Sequence, residues 1–316
     1  MTRIFFACDC HGSVPVFRKM LQVHNAYKCS VIMMCGDLTG KAVAPIVQEK
    51  ENLWWSAPFG KKEVYKSKEQ VEQAKKIYEK RGFYCYLTTP DELEKLKNDP
   101  QTVTKIFREL MCNRIGEWIE AFEDKIPQNI EVILNPGNDD IPEIDEIIKS
   151  SKRVTYPIGK VVEIDKIHKM ITCEWVNNTP WNTPKECGEE ELDMKFENEF
   201  KRVDDHRNLI CNFHAPPYGT RLDVAPKIDE QLKVKGRWGR PEMVHVGSHA
   251  VRDKFEKYQP LLGLHGHIHE SAGTDHVGRT LCVNAGSIYT QGMLSAFVID
   301  LPDKTGGKIA LFEVCA

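Results

Sequence analysis

Three histidines alternate with other residues in the run 263–270, which reads GLHGHIHE. In an extended segment His265, His267 and His269 would point to the same side of the backbone. Neutral imidazoles that converge in this way are good transition-metal ligands, whereas three structural histidines would each need a separate buried hydrogen-bond partner. The spacing therefore favours a metal site, and a metal needs further ligands elsewhere in the chain.

Further breaks after apolar strand candidates carry side chains that bind metals. The first two apolar runs both end at an aspartate, which is typical of buried parallel strands that deliver a carboxylate to a loop at their C-terminal ends. Open α/β sheets bind their ligands in that crevice. Each break alone is weak evidence for a metal site. The stronger evidence is that all of them follow apolar strand candidates. In chain order the five breaks are Asp9-Cys10-His11, Gly36-Asp37, Gly137-Asn138, His214 and His267-Ile268-His269.

In this order the breaks resemble the five motifs of the calcineurin-like metallophosphoesterase superfamily, which are Asp-x-His, Gly-Asp, Gly-Asn-His-Asp/Glu, a lone His and Gly-His-x-His. The match spans residues 9–269, and the combination is far more specific than any one motif. The resemblance implies two divalent or trivalent metal ions, Mn, Fe or Zn, bridged by Asp37. It assigns Asp9, His11 and His269 to one ion, and Asn138, His214 and His267 to the other.

The resemblance also implies a reaction. Two such ions hold a hydroxide between them at neutral pH and clamp the oxygens of a phosphate. The expected activity is hydrolysis of a phosphoester by in-line attack of this metal-bridging hydroxide, with no covalent intermediate on the protein. The expected partner is a phosphoester substrate, with a nucleotide among the alternatives.

The third motif departs from the pattern, because residues 137–140 read Gly-Asn-Asp-Asp. The histidine of that motif is generally assigned to protonating the leaving group or stabilising the transition state. Asp139 replaces it poorly, since an aspartate has a pKa of about 3.9 and nearby dications lower it further. Asn138 and Asp139 are the candidate catalytic residues, with His245 or His249 as alternative proton donors. The departure predicts a preference for phosphodiesters.

Other residues are candidates for supporting or substrate-binding roles. Asp140 and His265 are expected to support the ligands, and Arg221 to reach a substrate phosphate. An ordinary surface ion pair is the alternative for Arg221. Glu270 would either orient an imidazole or be a solvated loop carboxylate.

The run 233–240 interleaves four cations, Lys233, Lys235, Arg237 and Arg240, with Trp238. Such a run is typical of a segment that binds a nucleotide or a nucleic-acid strand, and also of a solvated loop. A nuclease of the same superfamily is therefore one alternative function, although the net charge of -3 argues against a nucleic-acid surface over the whole chain. A non-catalytic interaction scaffold on this fold is the alternative from another class, and the complete ligand set argues against it.

The composition sets the broad class. The N-terminal apolar run is interrupted at Asp9 and is too short for a signal-peptide core, and no uncharged apolar stretch approaches the length of a membrane span. The eleven cysteines lack CxxC pairs and sit mostly in apolar runs. We therefore expect a reduced, cytoplasmic protein with no membrane partner.

The elements that must position these residues are those of an α/β protein. The first forty residues predict a βαβ unit, and closely spaced late strands predict antiparallel pairs in a mixed sheet. The resemblance implies a four-layer sandwich of two mixed β-sheets flanked by helices. We expect one metallophosphoesterase domain over residues 1–316, with an inserted helical cap at about 61–125.

Overall fold

The computed structural model describes residues 1–316 except for the side chain of Arg237. The strands are β1 Arg3–Cys8, β2 Val31–Cys35, β3 Ala42–Lys50, β4 Leu53–Ser56, β5 Glu63–Tyr65, β6 Phe83–Thr88, β7 Glu131–Asn135, β8 Val162–Glu163, β9 Lys169–Cys173, β10 Val176–Asn177, β11 Glu186–Cys187, β12 Leu209–Phe213, β13 Val224–Pro226, β14 Gly236–Arg237, β15 Arg240–Pro241, β16 Met243–His245, β17 Leu262–His265, β18 Gly273–Val277, β19 Thr280–Asn284, β20 Ser295–Asp300 and β21 Ala310–Cys315. The α-helices are α1 Val14–Met20, α2 Val23–Tyr27, α3 Lys68–Lys80, α4 Pro90–Lys97, α5 Pro100–Lys125, α6 Glu143–Ser150, α7 Glu189–Phe200 and α8 His249–Tyr258, and two short 3-10 helices are Arg221–Asp223 and Tyr289–Gln291.

The first large sheet has the strand order β21-β20-β1-β2-β7. Its strands β1, β2 and β7 are parallel, and β20 and β21 extend it antiparallel on one side. β1 and β2 are apolar over almost their whole length because they are covered on both faces. The three parallel strands therefore end at the same edge.

The second large sheet has the order β18-β19-β17-β12-β9-β8. The central strands β9, β12, β17 and β19 are parallel, whereas β8 and β18 pair antiparallel at the two sides. The carboxyl ends of β12 and β17 carry the later of the five sequence breaks. Both sheets are mixed, as the closely spaced late strands predict.

Three hydrophobic clusters separate four layers. Alternate residues of β1 face opposite sides, so Phe5 packs in the cluster with α1, α5 and α6, whereas Phe6 packs in the cluster between the two sheets. A third cluster joins the outer face of the second sheet to α7 and α8. The predicted α/β fold of two mixed sheets flanked by helices is confirmed.

An insertion between β2 and β7 forms a four-stranded sheet of its own, in the order β5-β4-β3-β6. It packs against α3 through a small separate core that includes Trp54, Tyr65 and Tyr78. The range 61–125, predicted as a helical cap, thus contains β5 and β6 beside its helices, and its domain boundary stays a prediction. α5 joins the main core instead, where Trp118 stacks on Phe17 with ring centroids 4.4 Å apart.

In the part of the chain that the structure describes, every helix is too short or too polar to cross a bilayer.

Candidate metal centre

The two large sheets direct their strand ends towards one place. Asp9 and Asp37 follow β1 and β2, His214 follows β12, and His267 and His269 follow β17. Two ligand groups result, in each of which the donor atoms lie within 4.8 Å of one another. One group comprises Asp9, His11, Asp37 and His269, and the other comprises Asp37, His214 and His267.

Asp37 is common to both groups, with one carboxylate oxygen towards each. Its Oδ2 lies 3.7 Å from His11 Nε2, and its Oδ1 lies 3.5 Å from His214 Nε2. The histidines of the first group are themselves close, with Nε2 of His11 and His269 3.1 Å apart. This arrangement is what a bridging carboxylate between two cations requires.

The backbone at the centre is held in unusual conformations. Asp9, His11, Asp37 and His267 all have positive φ, at 53°, 42°, 39° and 66°. A non-glycine residue in this region costs energy of order 1–3 kcal/mol, and such residues cluster at functional sites. Holding these four side chains in place therefore lowers the stability of the fold.

Two glycines let the loops approach closely. A Cβ on Gly36, whose φ is 73°, would lie 2.3 Å from His214 Nδ1. A Cβ on Gly137 would lie 2.3 Å from both the amide nitrogen and Oδ1 of Asp37. Any side chain at either position would displace a candidate ligand.

Several donor atoms lack the partners that buried polar groups normally have. Among the described residues, Asp9 Oδ1, His11 Nδ1 and His214 Nε2 are buried without a hydrogen-bond partner. Burying such atoms unpaired is costly. Carboxylate oxygens and imidazole nitrogens left free in one pocket fit metal ions of mixed oxygen and nitrogen preference.

The protonation states agree with this fit. Burial, together with the charge of Lys41, holds the pKa of His11 well below its usual range, and burial with the nearby His214 lowers the pKa of His267 to about 3. Both imidazoles are thus in the neutral, ligating form. Burial opposes charge on His214 as well, but Asp37 and Asp9 outweigh it and raise its pKa to about 9. The two carboxylates thus favour a positive charge at His214, and a metal ion bound there would take the place of that proton.

Comparison with known proteins gives the relationship of this chain. No family model matches the sequence. It is 32% identical over 174 residues to "Uncharacterized protein MJ1162" of Methanocaldococcus jannaschii, across 54% of this chain and 71% of that protein. The chain belongs to the MJ1162 family.

Solved structures show that this member of the MJ1162 family has a known fold. One crystal structure covers 99% of the chain and 98% of its own, with a TM-score of 0.58 and 14% identity. TT1561 of Thermus thermophilus covers 93% of each chain, with a TM-score of 0.51 and 12% identity. A dimetal phosphatase from Danio rerio has a TM-score of 0.48 and 8% identity, which is too distant to carry an argument.

Asn138, a predicted ligand and catalytic residue, lies beside the second group of the MJ1162-family protein. Its Oδ1 is 2.9 Å from His267 Nδ1, and its Nδ2 donates a 2.7 Å hydrogen bond to Thr183 Oγ1. Thr183 in turn donates to Glu186 Oε1. The amide of Asn138 is therefore fixed in orientation by a chain of polar contacts.

The structure also places the other predicted site residues. Asp139 lines the cavity over the centre, and burial with the charge of Asp37 raises its pKa to about 6, which leaves it mostly ionised at neutral pH. Asp140 is fully buried behind the centre, where it accepts hydrogen bonds from the backbone of Leu38, Thr39 and Gly137. It joins the second and third motif loops.

His265 and Arg221 stand apart from the ligand groups. His265 Nδ1 lies 2.8 Å from the carbonyl oxygen of Phe213 and 2.9 Å from that of Ala215, so this nitrogen carries the proton and ties β17 to β12. Arg221 is exposed, and its backbone N–H donates to Asp275 Oδ2. It is absent from the described lining of the cavity, whereas Glu270 belongs to that lining.

Sequence reasoning missed Lys41, Tyr289 and Thr183. Lys41 Nζ lies 2.7 Å from Asp139 Oδ2, and the ring of Tyr289 lies 4.7 Å from that of His11. Lysine, tyrosine and threonine are not typical metal ligands, so a search for metal-ligand motifs does not select them. The position of Lys41 directly after the Asp37 loop was the one available cue.

The centre opens into a cavity of about 400 Å³. The cavity continues into a larger cleft of about 680 Å³, with which it shares Thr179, Trp181, His267 and Glu270. The candidate metal centre is thus reachable by a substrate of considerable size.

Proposed function

We propose that this protein is a metal-dependent phosphoesterase, a hydrolase that acts on ester bonds. The observation that carries the proposal is the pair of largely buried ligand groups that share Asp37. Such a shared carboxylate is characteristic of two-metal sites that hydrolyse phosphate esters. The proposal rests on the residues of this chain and not on the family relationship.

Asp9, His11, Asp37 and His269 would hold one ion, and Asp37, Asn138, His214 and His267 the other. The mixture of two carboxylates, an amide and four imidazoles suits Mn, Fe or Zn. When bound, the ions supply Lewis acidity towards a phosphoryl oxygen and a water of low pKa as the nucleophile. The protein orients these ligands through Asp140, Thr183 and the backbone of the strand ends.

We further propose a preference for phosphodiesters. Asp139, at the position of the motif histidine, is ion-paired with Lys41 and mostly ionised at neutral pH. The Lys41 ammonium stabilises the ionised form of Asp139, and in that form the carboxylate has no proton to give to a leaving group. Substrates whose leaving group departs without strong acid assistance are therefore favoured.

The test is hydrolysis of bis(p-nitrophenyl) phosphate and of p-nitrophenyl phosphate by protein loaded with Mn²⁺. We expect kcat/KM at least about tenfold higher for the diester, and loss of both activities in Asp37→Asn, which removes the shared carboxylate. His276→Gln, on the exposed edge strand β18, is the matched control and should leave both unchanged. Faster cleavage of the monoester would contradict the diester preference. If the protein holds no metal and hydrolyses neither ester, the result would favour the non-catalytic interaction scaffold.

A nuclease remains the second candidate, on the observation that Lys233, Lys235 and Arg240 are exposed on a loop that also lines the cleft. The side chain of Arg237, the fourth cation of this run, lies outside the described residues. DNA binding that weakens steeply with salt, and that disappears when these cations are neutralised, would support the nuclease.

We also propose a reducing compartment, such as the cytoplasm. The eleven cysteines are all free thiols in the structure, and eight of them are buried. Burial raises the pKa of thiols such as Cys29, to about 11, which keeps them unreactive.

A further inference from the structure

The cavity over the candidate metal centre has a single lysine or arginine among the described residues that line it, which is Lys41. Its Nζ lies 2.7 Å from Asp139 Oδ2. The Lys41 side chain is 52% exposed and that of Asp139 is 18% exposed. Lys41 is thus the more exposed member of the pair, and it lines the cavity that an entering anion would occupy.

Asp139 is fixed relative to the metal ligands. Its backbone N–H donates a 2.9 Å hydrogen bond to Asp37 Oδ1, an atom of the shared carboxylate. The Asp139 carboxylate therefore holds the Lys41 ammonium at a defined place beside the centre.

The backbone that leads to Lys41 is fixed as well. The N–H of Gly40 donates a 2.9 Å hydrogen bond to Tyr84 Oη, and a Cβ on Gly40 would lie 1.9 Å from the carbonyl oxygen of Gly82. Tyr84 lies on β6, and Lys41 directly precedes β3, the strand that pairs with β6. The inserted sheet thus sets the position of Lys41.

A positive charge in this place has a chemical use. Negative charge grows on the phosphoryl oxygens as a phosphate ester is hydrolysed, and a prepositioned cation stabilises it. An ammonium group is a compact donor to phosphate oxygens. In the resembled motif a histidine stands where this chain has Asp139, so the pair of Lys41 and Asp139 restores a cationic group at that point.

We propose that Lys41 binds a non-bridging oxygen of the substrate phosphate and stabilises the charge that grows there in the transition state, and that Asp139 is the positioning residue that aims it. The proposal rests on the proposed function. It gives the altered third motif a role in which the charge of the pair, and no proton transfer, is used.

The experiment measures hydrolysis of bis(p-nitrophenyl) phosphate, binding of inorganic phosphate by calorimetry, and metal content, all on Mn²⁺-loaded protein. We expect Lys41→Met to lower kcat about 100-fold, the scale of losing one oxyanion donor, and to weaken phosphate binding at least tenfold at unchanged metal content. Lys41→Arg keeps the charge and should lose only about tenfold in kcat. Lys149→Met is the matched control, because the Lys149–Glu146 ion pair is also 2.7 Å long but lies on α6.

A double-mutant cycle tests the role of Asp139. Asp139→Asn should lower kcat about tenfold, and the double variant with Lys41→Met should be no worse than Lys41→Met alone, because both residues act through one ammonium. Fully additive losses would overturn the positioning role of Asp139.

Two results separate this proposal from the proposed function. A wild-type protein that binds metal and cleaves the diester, with Lys41→Met within twofold of it in both readouts, overturns the role of Lys41 alone. Loss of metal in Lys41→Met also overturns it, because the role would then be structural. A wild-type protein that binds no metal and cleaves no diester overturns the proposed function and this proposal with it.

Discussion

At the scale of single residues, the centre is built from side chains that are poorly satisfied without a cation. Asp9 Oδ1 and His214 Nε2 are buried and unpartnered, and the backbone of Asp37 is strained to bring its carboxylate between the two groups. Hydrogen bonds that lie behind the ligands, chiefly those to Asp140, hold this geometry. Contacts with the rest of the protein therefore position the ligands.

Gly137 offers a test at this scale. Its substitution by alanine would place a Cβ 2.3 Å from Asp37 Oδ1, so the shared carboxylate must move. We expect Gly137→Ala to lose at least half of the bound metal and most of the hydrolytic activity, measured by elemental analysis and diester cleavage.

The matched control is Gly116→Ala on α5, where a Cβ meets nothing within 4 Å. That change should leave metal content unaltered and stabilise the helix by up to about 1 kcal/mol. Full metal occupancy in Gly137→Ala would show that the loop is less tightly set than its contacts indicate.

At the scale of elements, the strand ends and an insertion were predictable from the sequence, but the sheet within the insertion was not. Short apolar runs that stop at Asp9 and Asp37 are a strong sequence signal for buried parallel strands with functional ends. β3 and β6 pair with each other although α3 lies between them in the chain. In addition, β6 lies in a charged segment whose spacing of apolar residues suggested helices alone. Lys41 was equally hidden, because its partner Asp139 is 98 residues away and is positioned by tertiary contacts.

The contact between α7 and α8 predicts how the stability of the protein depends on pH. Hydrogen bonds from Lys254 Nζ and Tyr258 Oη lower the pKa of Glu197 from 4.5 to about 2. Because the folded-state pKa is depressed, the stabilisation is fully present above about pH 4.5 and is lost as the pH falls towards 2. Glu197→Gln should therefore lower the urea midpoint at pH 7 and have little effect near pH 2.

The control is Glu191→Gln on the same helix, whose pair with Lys195 is 3.2 Å long and more exposed. It should change the midpoint little at either pH. An equal loss of stability at both pH values in Glu197→Gln would mean that packing, and not charge, accounts for the role of Glu197.

At the scale of the whole molecule, the two sheets and the loops between β10 and β16 enclose one continuous space. The cavity at the centre opens past Trp181, which is 61% exposed, into the cleft where the rings of Tyr218 and His249 stack 3.8 Å apart. An ester group in this cleft would contact mostly apolar and aromatic side chains. If the proposed function holds, we therefore expect a preference for substrates with a flat or apolar ester group.

Trp181→Ala tests this arrangement. We expect KM for bis(p-nitrophenyl) phosphate to rise about tenfold with a smaller change in kcat, because a lost aromatic contact weakens binding and leaves the reacting atoms in place. KM for methyl p-nitrophenyl phosphate should rise less. Trp238→Ala, at a fully exposed tryptophan, is the control. An equal rise for both substrates would mean that Trp181 does not distinguish ester groups.

The central claim is that Asp37 joins two metal sites in one centre, and metal content tests it most directly. Elemental analysis of the Mn²⁺-loaded protein should give two ions per chain, and electron paramagnetic resonance should show the signal of a coupled pair. His214→Ala, which removes a ligand from the second group, should leave one uncoupled ion, with His276→Gln still holding two. Two uncoupled ions, or no ion retained by the wild type, would contradict the account.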